Sequence, residues 1–181
     1  MKLAGAPFAS PPSLAYARLI SPLPLGHPRR KGLFLDRDGV INEDTGYLSR
    51  IEDLRIRPGI AQRIGAARTQ GQQTVIVTNQ SGIGRGYYGW DAFEALQTEI
   101  CGRLAAEVPE ALISMVCACP FHPDAAAPYD VADHPWRKPN PGMIRFAAQV
   151  LEIDLENSLL IGDSASDEAA ARQTGLLFEY A

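Results

Sequence analysis

From Gly32 onward, short continuous apolar runs alternate with longer segments whose apolar residues recur at helical spacing. The runs are Gly32 to Asp36, Thr74-Val75-Ile76-Val77-Thr78, Leu112 to Cys119, Leu159-Leu160-Ile161, and a short last one from Leu176 to Tyr180. Runs of this length and β-branched content predict strands buried on both faces. Between them, Pro58-Gly59 opens a helix with Ile60, Ile64 and Ala67 on one face, ending near Gly71. A second helix starts at about Asp91, where Asp91 and Glu94 resemble a capping box, and has Phe93, Leu96, Ile100 and Leu104 as its inner stripe. Pro141 to Leu151 and Ser166 to Thr174 are the remaining helices. Strand–helix alternation predicts the α/β class: a Rossmann-like open parallel sheet with right-handed crossovers and helices on both faces.

Three segments fall outside this alternation. Residues 1–30 read as a proline-rich extension, with prolines at 7, 11, 12, 22, 24 and 28 that break any secretory h-region. Asn42 to Arg55 is polar, contains Gly46, and predicts a hairpin-like flap over the sheet edge. Pro120 to Pro141 is a long proline-rich loop, and loops of that length in compact domains are usually functional. No linker divides residues 31–181, which read as one domain, and the interval between the first two strands leaves no room for a large cap domain.

Composition narrows the class. The chain has 181 residues, 46% hydrophobic and 21% charged, as in an ordinary globular domain with a core of its own. A net charge of −4 argues against a nucleic-acid partner, because phosphate-backbone binding favours a basic surface. Three cysteines, Cys101, Cys117 and Cys119, suit a reducing compartment better than a disulfide scaffold. No apolar run approaches the roughly 20 residues of a membrane helix. The expectation is a cytoplasmic monomer with no membrane partner.

Candidate chemistry collects where apolar runs end. Phe34-Leu35-Asp36-Arg37-Asp38-Gly39 delivers two acids to the carboxyl edge of the sheet, where open α/β sheets bind ligands. Two acids this close call for a cation between them or a shared proton. Thr78-Asn79-Gln80-Ser81-Gly82 follows the second run with hydroxyl, amide and glycine-freed backbone groups able to cradle an anion. Arg137-Lys138-Pro139 places a guanidinium fork beside a point charge, a pair suited to a phosphoryl dianion. Ile161-Gly162-Asp163 ends another strand in an acid that can complete an oxygen-rich site for Mg²⁺, and Asp167 either joins that site or stabilises a helix N-terminus.

These four motifs, in this order, resemble the haloacid dehalogenase-like phosphohydrolases over Lys31 to about Tyr180. The longer stretches, Phe34 to Asn42, Asp44-x-Gly46-Tyr47, Thr78 to Gly86 and Arg137-Lys138-Pro139-x-Pro141-Gly142-Met143, resemble the D-glycero-D-manno-heptose-1,7-bisphosphate 7-phosphatase family, of which histidinol-phosphate phosphatases are relatives. The resemblance implies a Mg²⁺-dependent phosphomonoesterase acting on a small sugar bisphosphate such as D-glycero-D-manno-heptose 1,7-bisphosphate. Asp36 would be the nucleophile that forms an aspartyl-phosphate and Asp38 the general acid/base. The Asp36 carboxylate, the Asp38 carbonyl and Asp163 would hold Mg²⁺. Thr78, Asn79 and Lys138 would hold the phosphoryl group with help from Gln80 and Ser81, while Arg137, Asp44, Gly46 and Tyr47 would touch the rest of the substrate. A phosphatase of histidinol phosphate or another small phosphate ester, and a non-catalytic phosphate-binding protein, are the alternatives. Keeping Asp36, Asp38, Thr78, Lys138 and Asp163 together speaks against the latter, and Asp38 speaks against dehalogenation.

The chain departs from the family in the long loop. The family's structural zinc would use a Cys-x-His and a Cys-x-Cys pair there. In this chain Cys119 matches, but Phe121 replaces the histidine, and His134 and Trp136 replace the later cysteines. A set of Cys117, Cys119, His122 and His134 has the elements of tetrahedral zinc in the wrong register. Zinc at Cys119, His122 and His134 is therefore not expected, and aromatic packing should hold the loop instead. Ser164 also stands where many relatives carry lysine.

Overall fold

The computed structural model describes residues 13–26 and 30–181. Six strands make one sheet in the order β1-β4-β3-β2-β5-β6: β1 Tyr16–Leu19, β2 Gly32–Leu35, β3 Gln73–Asn79, β4 Met115–Cys119, β5 Leu159–Gly162 and β6 Leu177–Tyr180. All neighbours are parallel except β1, which runs antiparallel to β4. Helices α1 (Ile60–Thr69), α2 (Ser81–Gly84), α3 (Trp90–Glu107), α4 (Gly142–Leu151) and α5 (Ala165–Thr174) complete an α/β fold without a large cap.

The continuous apolar runs divide by parity. Leu33, Leu35 and Ile76 pack with Ile64 of α1 and Phe93, Leu96, Ile100 and Leu104 of α3. Phe34, Val75 and Val77 point the other way, onto Met143, Ala147 and Leu151 of α4 and Ala170 and Ala171 of α5. Side chains alternate across a strand, so an unbroken apolar run is what a sheet covered on both faces requires. Each fully buried leucine or isoleucine contributes about 1.5–3 kcal/mol.

From β2 the chain winds through β3 and β4 on one side, then crosses to β5 and β6 on the other. The reversal opens a crevice beyond the carboxyl ends of β2 and β5, the place where such sheets bind ligands. Leu35 pairs with Ile161, so the residues that follow β2 and β5 emerge side by side.

Four local features differ from the sequence expectations. Tyr16–Leu19, inside the proline-rich extension, is a sheet strand, its four residues too few for a periodic signal among prolines. Residues 1–12 and 27–29 of that extension lie outside the described residues. The flap is closed like a hairpin at its base, by an Asn42–Ile56 bridge and bonds from Glu43 N to Arg55 O and Arg57 N to Ile41 O, each 2.9 Å. Beyond that base it is irregular, with one 3₁₀ turn at Ile51–Asp53, and Ile41, Leu48 and Leu54 anchor it in the core. The capping box expected at Asp91 and Glu94 does not form: α3 starts after Gly89 with no side-chain cap. A box does form at α5, between Ser164 and Asp167.

Candidate active site

Asp36, directly after β2, lies at the centre of the site. Its Oδ1 accepts a bond from Arg37 N at 2.7 Å and is 3.0 Å from Lys138 Nζ. Burial pushes the Asp36 carboxyl up to about 6, against the lowering effect of Lys138. Lys138 is itself buried, and its ammonium also lies 2.5 Å from Asp167 Oδ1. Burial works against that ammonium, but Asp36 and Asp167 outweigh it and hold its pKa above the usual lysine value. Of the two roles left open by the sequence, Asp167 takes the helix N-terminus, and its other oxygen pairs with Lys138. Its Oδ2 accepts bonds from Ser164 N and Oγ in the capping box, while its Oδ1 grips Lys138.

Asp163 follows β5 and comes so close to Gly39 that a Cβ there would collide with its carboxylate. Gly39 also has φ +79°, so glycine is required twice over in the Asp-Gly pair after β2. Burial raises the Asp163 carboxyl, with Asp167 adding to the effect. One carboxylate oxygen each of Asp36, Asp163 and Asp167 lies within 4.8 Å of the others, the one such group of His, Cys, Asp or Glu ligands among the described residues. Three carboxylates against one lysine leave excess negative charge in an all-oxygen setting. That donor chemistry fits a hard divalent cation. Both oxygens of Asp167 are already engaged, so Asp36 and Asp163 are the side chains available to hold it.

Asp38 is not one of the three and has hydrogen-bond partners of its own. It accepts Arg37 Nε and Nη2 on Oδ1 at 3.1 and 3.0 Å, Asn42 Nδ2 on Oδ1 at 2.9 Å, and Arg37 Nη2 and Gln80 Nε2 on Oδ2 at 2.8 and 2.9 Å. Arg37 is 1% exposed and sits 5.4 Å above the Phe93 ring, so the flat face of the guanidinium is covered while its edge binds the carboxylate.

The anion cradle is more differentiated than its sequence suggests. Thr78 accepts from Gln80 at 2.9 Å and keeps its hydroxyl hydrogen for another acceptor. Asn79 clamps the backbone of Lys138 at two points, donating to its carbonyl at 3.1 Å and accepting from its N–H at 3.0 Å. This clamp carries the long loop's lysine across to the end of β3.

Asp36, Asp38, Asp44, Gly46, Tyr47, Thr78, Asn79, Gln80, Ser81, Lys138 and Asp163 all line one cavity of about 210 Å³. Arg137 does not line it: its Nη1 donates to Phe121 O at 3.0 Å and so fastens the long loop. The sequence reading missed Tyr88, Ser164 and Ser166 as lining residues, and Arg37 and Asn42 as partners of Asp38. Asn42 at least lies in the stretch that carried the resemblance. Nothing local marks Arg37 as buried, because its cover comes from α3.

In the long loop, Phe121 stacks on His134 with ring centroids 3.7 Å apart, and the buried Trp136 leans on Phe146 at 5.1 Å. His134 Nδ1 accepts Trp136 N, and the His122 ring faces the Arg85 guanidinium at 3.1 Å. Burial raises the Cys119 thiol to about 11.

A family profile described as HAD-hydrolase-like matches residues 135–178. The chain is 44% identical over 149 residues to a Mesorhizobium japonicum D-glycero-beta-D-manno-heptose-1,7-bisphosphate 7-phosphatase, an alignment covering 82% of this chain and 68% of the relative. A HAD-like phosphatase structure from Mesorhizobium loti superposes with a TM-score of 0.84 at 41% identity, over 90% of this chain and 76% of the other. A D,D-heptose 1,7-bisphosphate phosphatase from B. bronchiseptica, solved with magnesium and phosphate, gives 0.70 at 31% identity, over 82% and 78%. No helix among the described residues is long and apolar enough to cross a membrane.

Proposed function

The chain belongs to the D-glycero-D-manno-heptose-1,7-bisphosphate 7-phosphatase family of HAD-like phosphatases, and from that membership we propose that it is a Mg²⁺-dependent phosphomonoesterase that removes one phosphate from a heptose 1,7-bisphosphate through an aspartyl-phosphate. The observation that carries this is the convergence of Asp36, Asp38, Thr78, Lys138 and Asp163, from separate strand ends and the long loop, on one cavity.

Asp36 attacks phosphorus with the carboxylate oxygen that Arg37 N and Lys138 do not hold. As the new O–P bond forms and the ester O–P bond breaks, Asp38 passes a proton to the departing alkoxide. Asp38, now a carboxylate, takes a proton from water, whose oxygen attacks the aspartyl-phosphate and releases inorganic phosphate and free Asp36. Lys138 and the Thr78 hydroxyl fix the phosphoryl oxygens, since this chemistry depends mainly on positioning and charge stabilisation. Asp36 and Asp163 would hold Mg²⁺, which when bound would further neutralise the phosphoryl charge.

Phosphate release with D-glycero-D-manno-heptose 1,7-bisphosphate, histidinol phosphate and simple sugar phosphates tests the substrate. The heptose bisphosphate should lead in kcat/KM by about tenfold or more, the equivalent of about 1.4 kcal/mol of transition-state discrimination. A lead for histidinol phosphate would reassign it. Metal dependence has a separate readout. Titration of Mg²⁺ followed by calorimetry should show one site in the wild-type protein and at least roughly tenfold weaker binding in Asp163→Asn. Equal affinity in the two proteins would remove Asp163 from the site.

The long loop should carry no zinc, because Phe121 and Trp136 anchor it by packing. Elemental analysis of protein purified without chelators should find no stoichiometric zinc. A stoichiometric ion bound through Cys119 with His122 or His134 would overturn this.

A further inference from the structure

The buried side chain of Gln80 lies among three polar partners. Its Nε2 donates to Asp38 Oδ2 and to Thr78 Oγ1, both at 2.9 Å, and its Oε1 accepts the Tyr88 hydroxyl at 2.7 Å. A primary amide has two hydrogens to donate, and both are used. None remains for a phosphoryl oxygen, so the phosphate-binding role read from the sequence is not what this geometry provides. With Asp38 as the carboxylate that Arg37 and Asn42 bind, the amide turns its NH₂ end to Asp38 and its carbonyl end to the Tyr88 hydroxyl.

The two oxygens of Asp38 are held from different sides. Oδ1 is bound by Arg37 and Asn42, neither of which lines the cavity. Oδ2 is shared between Arg37 and Gln80, and Gln80 lines the cavity together with Thr78 and Tyr88. Gln80 is therefore the cavity-side restraint on the carboxylate.

We propose that Gln80 is a positioning residue for the proton-transferring carboxylate of Asp38, and that Tyr88 locks the Gln80 amide in the orientation this task needs. The inference rests on Asp38 being the acid/base. A proton donor works only within about 2.6–3.2 Å of its acceptor, and displacement by about 1 Å can cost roughly 10²-fold in rate. Without Gln80, Asp38 keeps its bonds to Arg37 and Asn42, but Oδ2 loses its one partner that lines the cavity.

Leaving-group dependence tests this, because a good leaving group departs without a proton and a sugar alkoxide does not. The measured quantity is kcat/KM, which reports the steps up to leaving-group departure and is blind to later hydrolysis of the aspartyl-phosphate. Gln80→Leu should lose about 10–100-fold in kcat/KM on the heptose bisphosphate. On 4-nitrophenyl phosphate its loss should be at least about fivefold smaller. Tyr88→Phe should show the same asymmetry at smaller size, and it keeps the test decisive if Gln80→Leu folds poorly. Asp38→Asn is the reference. Should it lose equally on both substrates, Asp38 is not the acid, and the mechanism fails along with this inference. An asymmetric Asp38→Asn combined with a Gln80→Leu that keeps the wild-type kcat/KM, or that loses equally on both substrates, would overturn the positioning role alone.

Discussion

Asp36→Asn is expected to reduce phosphate release to below about 10⁻⁴ of the wild-type rate, a loss of roughly 5.4 kcal/mol in transition-state stabilisation. The substitution preserves shape and removes the attacking anion, since an amide oxygen is a far poorer nucleophile toward phosphorus. The fold should survive, because Lys138 keeps its 2.5 Å contact with Asp167 when Asp36 loses its charge. A melting temperature close to wild type together with the activity loss would locate the defect in chemistry rather than folding. Release above about 10⁻² of wild type, with contaminating phosphatase excluded, would refute the covalent route.

Lys138→Ala should harm both stability and catalysis. Lys138 is the cation among Asp36, Asp163 and Asp167, and Asp167 is completely buried. Removing one partner from a buried ion pair typically costs about 3–5 kcal/mol, because the remaining charge is left uncompensated. In a domain of this size that corresponds to a fall of roughly 6–20 °C in melting temperature. Loss of an electrostatic contact to the phosphoryl oxygens should lower kcat by about 10²–10³-fold as well. Mg²⁺ should recover more stability in this variant than in wild type, since it would be the remaining cation near the three acids. Thermal melts with and without Mg²⁺ measure this directly, and an unchanged melting temperature would show that Lys138 does not neutralise the cluster.

Features carried by local pattern were legible in the chain. Strands β2, β3, β4 and β5 announced themselves as apolar runs, and the acids and hydroxyls at their ends fell where the sheet's winding reverses. What stayed hidden depends on contacts between distant segments. Arg37 reads as an ordinary charged residue until Phe93 of α3 covers it. Gln80 reads as one more polar group in a glycine-rich loop until Tyr88 and Asp38 use up its donors and acceptor. Asn79 reads as an anion ligand until the Lys138 backbone comes within its reach. Asp91 and Glu94 had the spacing of a cap, but Gly89 took the capping position.

β4 gives the short antiparallel strand β1 a significance beyond one more pairing. Met115-Val116-Cys117-Ala118-Cys119 is apolar, uncharged and free of proline, and all of it is buried. Its outer edge is occupied by Tyr16–Leu19, and past them Ile20 and Ser21 donate to the carbonyls of Ser114 and Ile113. Leu23 then ties both its backbone groups to the Gln73 side chain. Stripped of that cover, β4 would present a bare row of N–H and C=O groups on a sequence suited to intermolecular stacking, the condition under which sheets template aggregation. A stretch with no catalytic group thus acts as a guard rail against self-assembly. A truncation that cuts into β1 would leave the chemistry in place and yield protein that precipitates on concentration.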